Sequence, residues 1–113
     1  ITDKYTSNLA LTVDEIRPTY QWDVSCQGSV PESIICFLEG KDFVDVARLA
    51  VSLGGDADTM ACIAGSIAAC IYPIPEWIVN RCECLLPPHL LHMMQGFEGY
   101  LCTLPLYRML LNE

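Results

Sequence analysis

Hydrophobic residues recur at intervals of three and four along most of the chain, and no segment alternates regularly between apolar and polar residues. Apolar positions at this spacing are typical of helices that bury one face, whereas strict alternation is typical of strands. Proline and glycine residues separate the apolar segments from one another and mark the ends of candidate helices. The pattern predicts an all-α chain without internal repeats or low-complexity segments.

Residues 1–28 are predicted to be a mostly irregular lead-in with a short helix near residues 11–16. Ser29 and Glu32 have the spacing of a capping box, which predicts that the first long helix begins there. The long helices are predicted over residues 29–39, 42–53, 56–72, 75–84 and 87–101. We interpret residues 29–104 as a helical bundle and 105–113 as a tail, all within a single partial domain.

The helix predicted over residues 56–72 is apolar on nearly every side, which is typical of a buried central helix. One apolar stripe consists of Met60, Ile63, Ala64, Ile67 and Ile71. Another carries the small residues Ala61, Gly65, Ala68 and Ala69. The small residues are expected to let neighbouring backbones approach closely.

Composition adds that the chain is unusually apolar for its length, with 52% hydrophobic residues among 113 and a mean hydropathy of +0.33. A chain this short leaves a large share of its surface in water. Apolar surface in that amount is expected to be covered by a partner.

The charge distribution argues against nucleic-acid binding. Six scattered basic residues stand against fourteen acidic ones, for a net charge of −8. Such a chain cannot neutralise a phosphate backbone. No apolar run approaches the roughly 20 residues needed to span a bilayer, and the polar residues 1–8 show no signal peptide.

Seven cysteines are spread through the helical pattern. A secreted disulfide scaffold would be expected to have an even number of cysteines and less apolar core of its own. The sequence therefore predicts reduced, mostly buried thiols in a cytoplasmic protein.

Two carboxylates and a hydroxyl, those of Asp56, Asp58 and Thr59, follow two glycines at the start of the predicted central helix. Across a loop-to-helix junction the two acids can converge on one point, although within a regular helix they would point apart. Oxygen ligands suit Mg²⁺ or Mn²⁺ and fit Zn²⁺ or copper poorly. The pattern indicates a site for a hard cation.

A helix cap, an EF-hand loop and a phosphatase nucleophile are alternative interpretations of the same residues. An aspartate before a helix is most often simply an N-cap, and that role stays open here. An EF-hand loop beginning at Asp56 would need glycine and glutamate where the chain has Ala61 and Ile67. A phosphatase with an aspartyl nucleophile would need a strand before Asp56, whereas residues 42–53 have helical periodicity.

A second candidate metal cluster consists of Cys82, Cys84, His89 and His92. Its spacing fits no common zinc module, and two prolines interrupt it. Ordinary positions on helix faces are the favoured interpretation of these residues.

A long ordered string carries a family resemblance. It comprises residues 50–59, Ala-Val-Ser-Leu-Gly-Gly-Asp-Ala-Asp-Thr, then residues 63–68 and Ile74-Pro75-Glu76-Trp77, preceded by residues 29–38. This string resembles the C-terminal signature of the ADP-ribosylglycohydrolases, including the dinitrogenase-reductase-activating type. The resemblance covers residues 29–77.

The resemblance implies the C-terminal part of an all-α orthogonal bundle that holds two Mg²⁺ (or Mn²⁺) ions and removes ADP-ribose from a protein or a small acceptor. It implies that Asp56, Asp58 and Thr59 are metal ligands. It also implies that the remaining ligands, a Thr-Asp-Asp cluster, and the catalytic acid lie in an N-terminal half that has no match here. That half, or a second copy, is expected to cover the apolar face.

A different class of function remains open. The chain could be a structural or interaction module that keeps the central helix of this fold but lacks catalysis. It would then show no hydrolysis by itself and weak metal binding or none.

Overall fold

The computed structural model describes residues 8–111, and every regular element in that range is an α-helix. The helices are α1 (Val13–Ile16), α2 (Cys26–Glu39), α3 (Phe43–Ser52), α4 (Ala57–Ala68), α5 (Glu76–Leu85), α6 (Pro88–Leu101) and α7 (Pro105–Leu111). The prediction of an all-α chain is confirmed. The chain divides into two compact units between Pro75 and Glu76.

The first unit is built around α4, which packs against α2 and α3, while α2 also packs against α3 and α1. The core lies between these helices and consists of side chains that are at most 8% exposed. They are Val13, Ile16, Ile35, Cys36, Val46, Ala50, Leu53, Met60, Ala64 and Ala68. Burial of such side chains is the main term that stabilises a small helical unit.

Helix α4 is buried on one side and not all round, which corrects the prediction made from its composition. Its buried residues are Met60, Ala64, Gly65 and Ala68. The larger Ile63 and Ile67 are only half-buried, and Ile71 is 66% exposed. Met60 and the small residues Ala64, Gly65 and Ala68 therefore form the buried side of α4, and apolar side chains remain exposed, as the composition predicts.

The C-terminal end of α4 comes four residues earlier than predicted. The amides of Cys70 and Ile71 donate to carbonyls three residues back, those of Ile67 and Ala68, so the chain tightens into turns after Ala68. Pro73 adds to this effect, since a proline disfavours helical backbone at the residue before it. The predicted extension to Tyr72 is wrong for this reason.

The N-terminus of α2 also differs from the prediction, because Ser25 and not Ser29 is the N-cap. The Ser25 hydroxyl accepts a hydrogen bond from the Gly28 amide at 3.2 Å. Ser29 is buried and its hydroxyl donates to the Ser25 carbonyl at 2.8 Å, so it cannot act as a cap. Pro31 consequently lies inside α2, and the capping box proposed for Ser29 and Glu32 does not form.

The boundaries of α3 follow the sequence closely. Asp42 is its N-cap and accepts from the Asp45 amide at 2.8 Å. After the helix, Gly54 has a φ of 76°, a left-handed backbone that glycine adopts without the steric cost of a side chain.

The second unit contains α5, α6 and α7, and no side chain described within residues 76–109 is fully buried. The segment interpreted as a tail contains α7, which begins at Pro105, a residue well suited to a first helical turn. Several large apolar side chains of this unit are exposed, including Trp77, Leu85, Met93, Phe97, Leu106 and Met109. None of the described helices is long and apolar enough to cross a membrane.

All seven cysteines are free thiols, but only Cys36 is buried. The prediction of mostly buried cysteines is therefore wrong, since the other six lie at positions that face solvent. Burial raises the pKa of the Cys36 thiol to about 11, which keeps it protonated and unreactive near neutral pH.

Candidate functional site

The three predicted ligands lie where the turn after α3 leads into α4. Asp56 is the N-cap of α4 and is half-buried, while Asp58 and Thr59 lie in the first turn and are exposed. Gly54 supplies the left-handed backbone that redirects the chain at this point. The site is thus presented by a short turn between two packed helices.

Asp56 occupies the N-cap position without acting as a cap. Its backbone, at φ −70° and ψ 72°, is not extended, and its side chain makes no capping hydrogen bond. The caps of α1, α2 and α3, which are Thr12, Ser25 and Asp42, each accept a hydrogen bond from a backbone amide of their own helix. The simple capping role that the sequence left open for Asp56 is therefore not what the structure contains.

Asp58 lies in the first turn of α4 and is not its N-cap. Its carboxylate accepts a hydrogen bond from the neighbouring Thr59 amide at 3.0 Å. Its pKa is held below the usual value, first by a hydrogen bond with the Asp56 side chain and then by the hydrogen bond from the Thr59 amide. The two carboxylates are therefore close enough to interact, as the loop-to-helix junction predicts.

Tyr20 lies against the turn that carries these acids, a position that sequence reasoning missed. Its hydroxyl donates to the Gly28 carbonyl at 2.8 Å and lies 3.2 Å from the Met60 sulfur. Its ring packs on Gly55, where an added Cβ would lie only 2.2 Å from the Tyr20 Cε1 atom. No local pattern in the lead-in marks Tyr20, because its partners are far away in sequence.

Burial and nearby carboxylates both disfavour ionisation of the Tyr20 phenol. Burial raises its pKa first, and the negative charges of Glu32, Asp23 and Asp56 raise it further. Glu32, in the middle of α2, and Asp56, at the start of α4, thus both act on the same phenol. This agrees with the Coulomb rule that nearby anions disfavour a further anion.

Glu32 is the most unusual of these acids, because its Oε2 atom is buried and has no hydrogen-bond partner. Burial raises the pKa of its carboxyl group, and the charge of Asp23 adds to the rise. Glu32 also lines a cavity of about 510 Å³ together with Tyr20, Trp22 and Asp23.

Within residues 8–111, no three or more His, Cys, Asp or Glu side chains lie close enough together to hold a metal ion. The zinc hypothesis for Cys82, Cys84, His89 and His92 therefore has no support, and these residues take ordinary exposed positions on α5 and α6. Asp56, Asp58 and Thr59 offer two carboxylates and a hydroxyl, a partial set of hard oxygen donors of the kind that Mg²⁺ prefers.

A comparison with known protein families gives one match. The model of the ADP-ribosylglycohydrolase family matches residues 4–99, a wider range than the residues 29–77 that carry the resemblance. No curated protein and no solved structure matches the chain. Because the family match includes both helices that flank the acidic turn and covers most of the sequence, the chain belongs to the ADP-ribosylglycohydrolase family.

Proposed function

We propose that this chain supplies part of a di-metal centre in a hydrolase that releases ADP-ribose from a modified protein or small molecule. In this proposal Asp56, Asp58 and Thr59 bind Mg²⁺, or Mn²⁺ in its place. Membership of the family supports the reaction class, and the chemistry of the three side chains supports the metal.

One observation carries the proposal: Asp56 stands at the N-cap of α4 while its carboxylate makes no capping hydrogen bond. A helix whose N-cap side chain makes no capping hydrogen bond lacks about 1 kcal/mol of stabilisation. A cation would compensate the Asp56 carboxylate well, because Asp56 and Asp58 lie close together and two adjacent carboxylates repel each other when both are ionised. The amide groups at the start of α4 also favour ionised acids at this point.

The protein residues have distinct roles in this proposal. Asp56 and Asp58 would bind metal through their carboxylates, and Thr59 through its hydroxyl. A bound pair of Mg²⁺ ions would orient the ribose hydroxyls and a water for attack at the anomeric carbon. The acids of this acidic chain would then face the metal ions, so the anionic diphosphate of the substrate would not meet bare carboxylates.

The ligand set of the described residues is partial, so the proposal requires further ligands from elsewhere. Family resemblance suggests a Thr-Asp-Asp cluster contributed by another segment of the protein or by another chain. A catalytically incomplete module is the competing proposal, and it is favoured by the absence of a metal-holding group of three within residues 8–111.

The decisive experiment measures Mg²⁺-dependent release of ADP-ribose by the full-length protein and by its variants Asp56→Ala and Asp58→Ala. We expect each variant to lose activity by at least roughly 100-fold, since even outer-shell partners of metal ligands contribute 10–100-fold. Asp42→Ala is the matched control, because it removes a helix-start aspartate that is used for capping. Undiminished turnover by both ligand variants would overturn the proposal, and no hydrolysis by the full-length wild type would favour the incomplete module.

A further inference from the structure

Tyr20 joins three parts of the first unit at the candidate metal site. Its hydroxyl is anchored on α2 through the Gly28 carbonyl and contacts α4 through the Met60 sulfur. Its ring lies against Gly55, the residue before Asp56. One side chain from the lead-in thus connects the first turn of α2 with the start of α4.

The contact with Gly55 is unusually close. Gly55 is buried, and a Cβ added there would lie 2.2 Å from Cε1 and 3.0 Å from Cζ of the Tyr20 ring. A side chain at this position would force the ring or the turn to shift, so the ring and the glycine backbone lie in close contact. The ring therefore limits where the Gly55–Asp56 peptide can lie.

Asp56 needs such a support because no backbone amide of its own helix holds its side chain. Its carbonyl accepts from the Met60 amide at 2.9 Å, but its carboxylate makes no capping bond to α4 and interacts with the neighbouring Asp58 side chain instead. The position of the carboxylate therefore depends on how the backbone before it is packed. Tyr20 is the side chain that packs there.

We propose that Tyr20 is a positioning residue that holds the Gly55–Asp56 peptide, and through it the Asp56 carboxylate, in the place required for metal binding. This inference rests on the proposed function, since it assigns a support to the same metal ligands. The hydroxyl anchors the ring on α2, and the ring places the peptide.

Tyr72 offers a matched control in the same unit. Its hydroxyl donates to the Gly40 carbonyl at 3.1 Å, so it also ties a half-buried phenol to the backbone of α2. Gly40 is the C-cap of α2, whereas Gly28 lies in its first turn. Removal of either hydroxyl deletes one bond from a tyrosine to a backbone carbonyl, but only Tyr20 adjoins the acidic turn.

The experiment measures the Kd for Mn²⁺ alone, as a spectroscopic probe of the site, and the Tm without metal, in the full-length protein. We expect Tyr20→Phe and Tyr72→Phe to lower the Tm by similar amounts. Only Tyr20→Phe is expected to weaken Mn²⁺ binding, by about 10-fold, the lower end of the effect of groups that orient metal ligands. Gly55→Ala, which displaces the ring, is expected to weaken binding at least as much.

The outcomes separate the two levels of the proposal. Unchanged Mn²⁺ affinity in both Tyr20→Phe and Gly55→Ala, with affinity lost in Asp56→Ala, would overturn the role of Tyr20 and leave the metal site standing. Equal loss of affinity in Tyr20→Phe and Tyr72→Phe would also overturn it, since that would be a general effect on stability. Wild-type affinity in Asp56→Ala would overturn the metal site and the role of Tyr20 together.

Discussion

The helices α3 and α4 both have an aspartate at the N-cap position, but only the aspartate of α3 acts as a cap. Each helix has an aspartate at its N-cap, Asp42 in α3 and Asp56 in α4, and each has another aspartate in its first turn. At α3 both acids bond to backbone amides, since Asp42 accepts from the Asp45 amide and the Asp45 carboxylate accepts from the Lys41 amide. At α4 the N-cap carboxylate has no such bond.

The difference shows that an acid before a helix does not reveal its role by position alone. The extended backbone of Asp42, at φ −155° and ψ 175°, turns its side chain back toward the helix. Asp56 has a ψ of 72° instead, and its neighbouring glycine is packed under Tyr20. Capping therefore stabilises the start of α3, and packing stabilises the start of α4. The Asp56 carboxylate is consequently not used for capping and is available to bind a ligand.

The largest effect is expected from the packing that holds α4. Met60→Ala should lower the free energy of unfolding by about 2–5 kcal/mol, because Met60 is fully buried and its truncation leaves a cavity. Urea denaturation of the variant measures this loss. Cys62→Ala, an exposed site on the same helix, should stay within about 0.5 kcal/mol of wild type, and an equally small loss for Met60→Ala would contradict the packing role.

Metal-linked stability should separate the two aspartates next. At a Mg²⁺ concentration of 100 times Kd, the full-length wild type should gain about 2.7 kcal/mol in unfolding free energy. Asp42→Ala should keep this gain, and Asp56→Ala should lose most of it. Denaturant titrations with and without Mg²⁺ measure the gain, and an equal gain in both variants would remove the distinction between the two helix starts.

Without metal, Asp42→Ala should lose more unfolding free energy than Asp56→Ala. Asp42→Ala should cost about 1 kcal/mol, since it deletes a working N-cap. Asp56→Ala should change stability by less than about 0.5 kcal/mol, because no capping bond is lost. Urea denaturation in the presence of a chelator tests this, and a loss for Asp56→Ala as large as that for Asp42→Ala would show that Asp56 acts as a cap after all.

The smallest effect is a contrast in pH dependence between a satisfied and an unsatisfied carboxylate. Burial raises the pKa of Glu32, so the wild type should gain stability relative to Glu32→Gln as the pH falls through that raised pKa toward 4.5, the ordinary value. Hydrogen bonds from Thr12 lower the pKa of Glu15. Wild type should therefore lose stability relative to Glu15→Gln as the pH falls below 4.5.

Denaturation of the three proteins across the range from pH 7 to about pH 3 measures this contrast. Slopes of the same sign for the two variants would contradict it. The comparison also checks whether the buried Oε2 atom of Glu32 carries an unfavourable charge at neutral pH.

Local signals in the sequence were sufficient for several elements. The predicted limits of α3, residues 42–53, agree closely with the structure, because the cap at Asp42 and the glycine at Gly54 depend on interactions within a few residues. The start of α2 was predicted wrongly, since Ser25 and Ser29 are both capable N-caps. The choice between them depends on the burial of Ser29 against the rest of the unit.

The candidate site shows the same division. The sequence alone determined the all-α class and the family, and it indicated Asp56, Asp58 and Thr59 as candidate ligands, because these follow from residue type, order and periodicity. Only the tertiary structure decided that α4 buries the side with Met60, Ala64, Gly65 and Ala68, that Glu32 Oε2 is left without a partner and that Tyr20 packs on Gly55. Each of these depends on contacts between residues far apart in the chain, which no local pattern encodes.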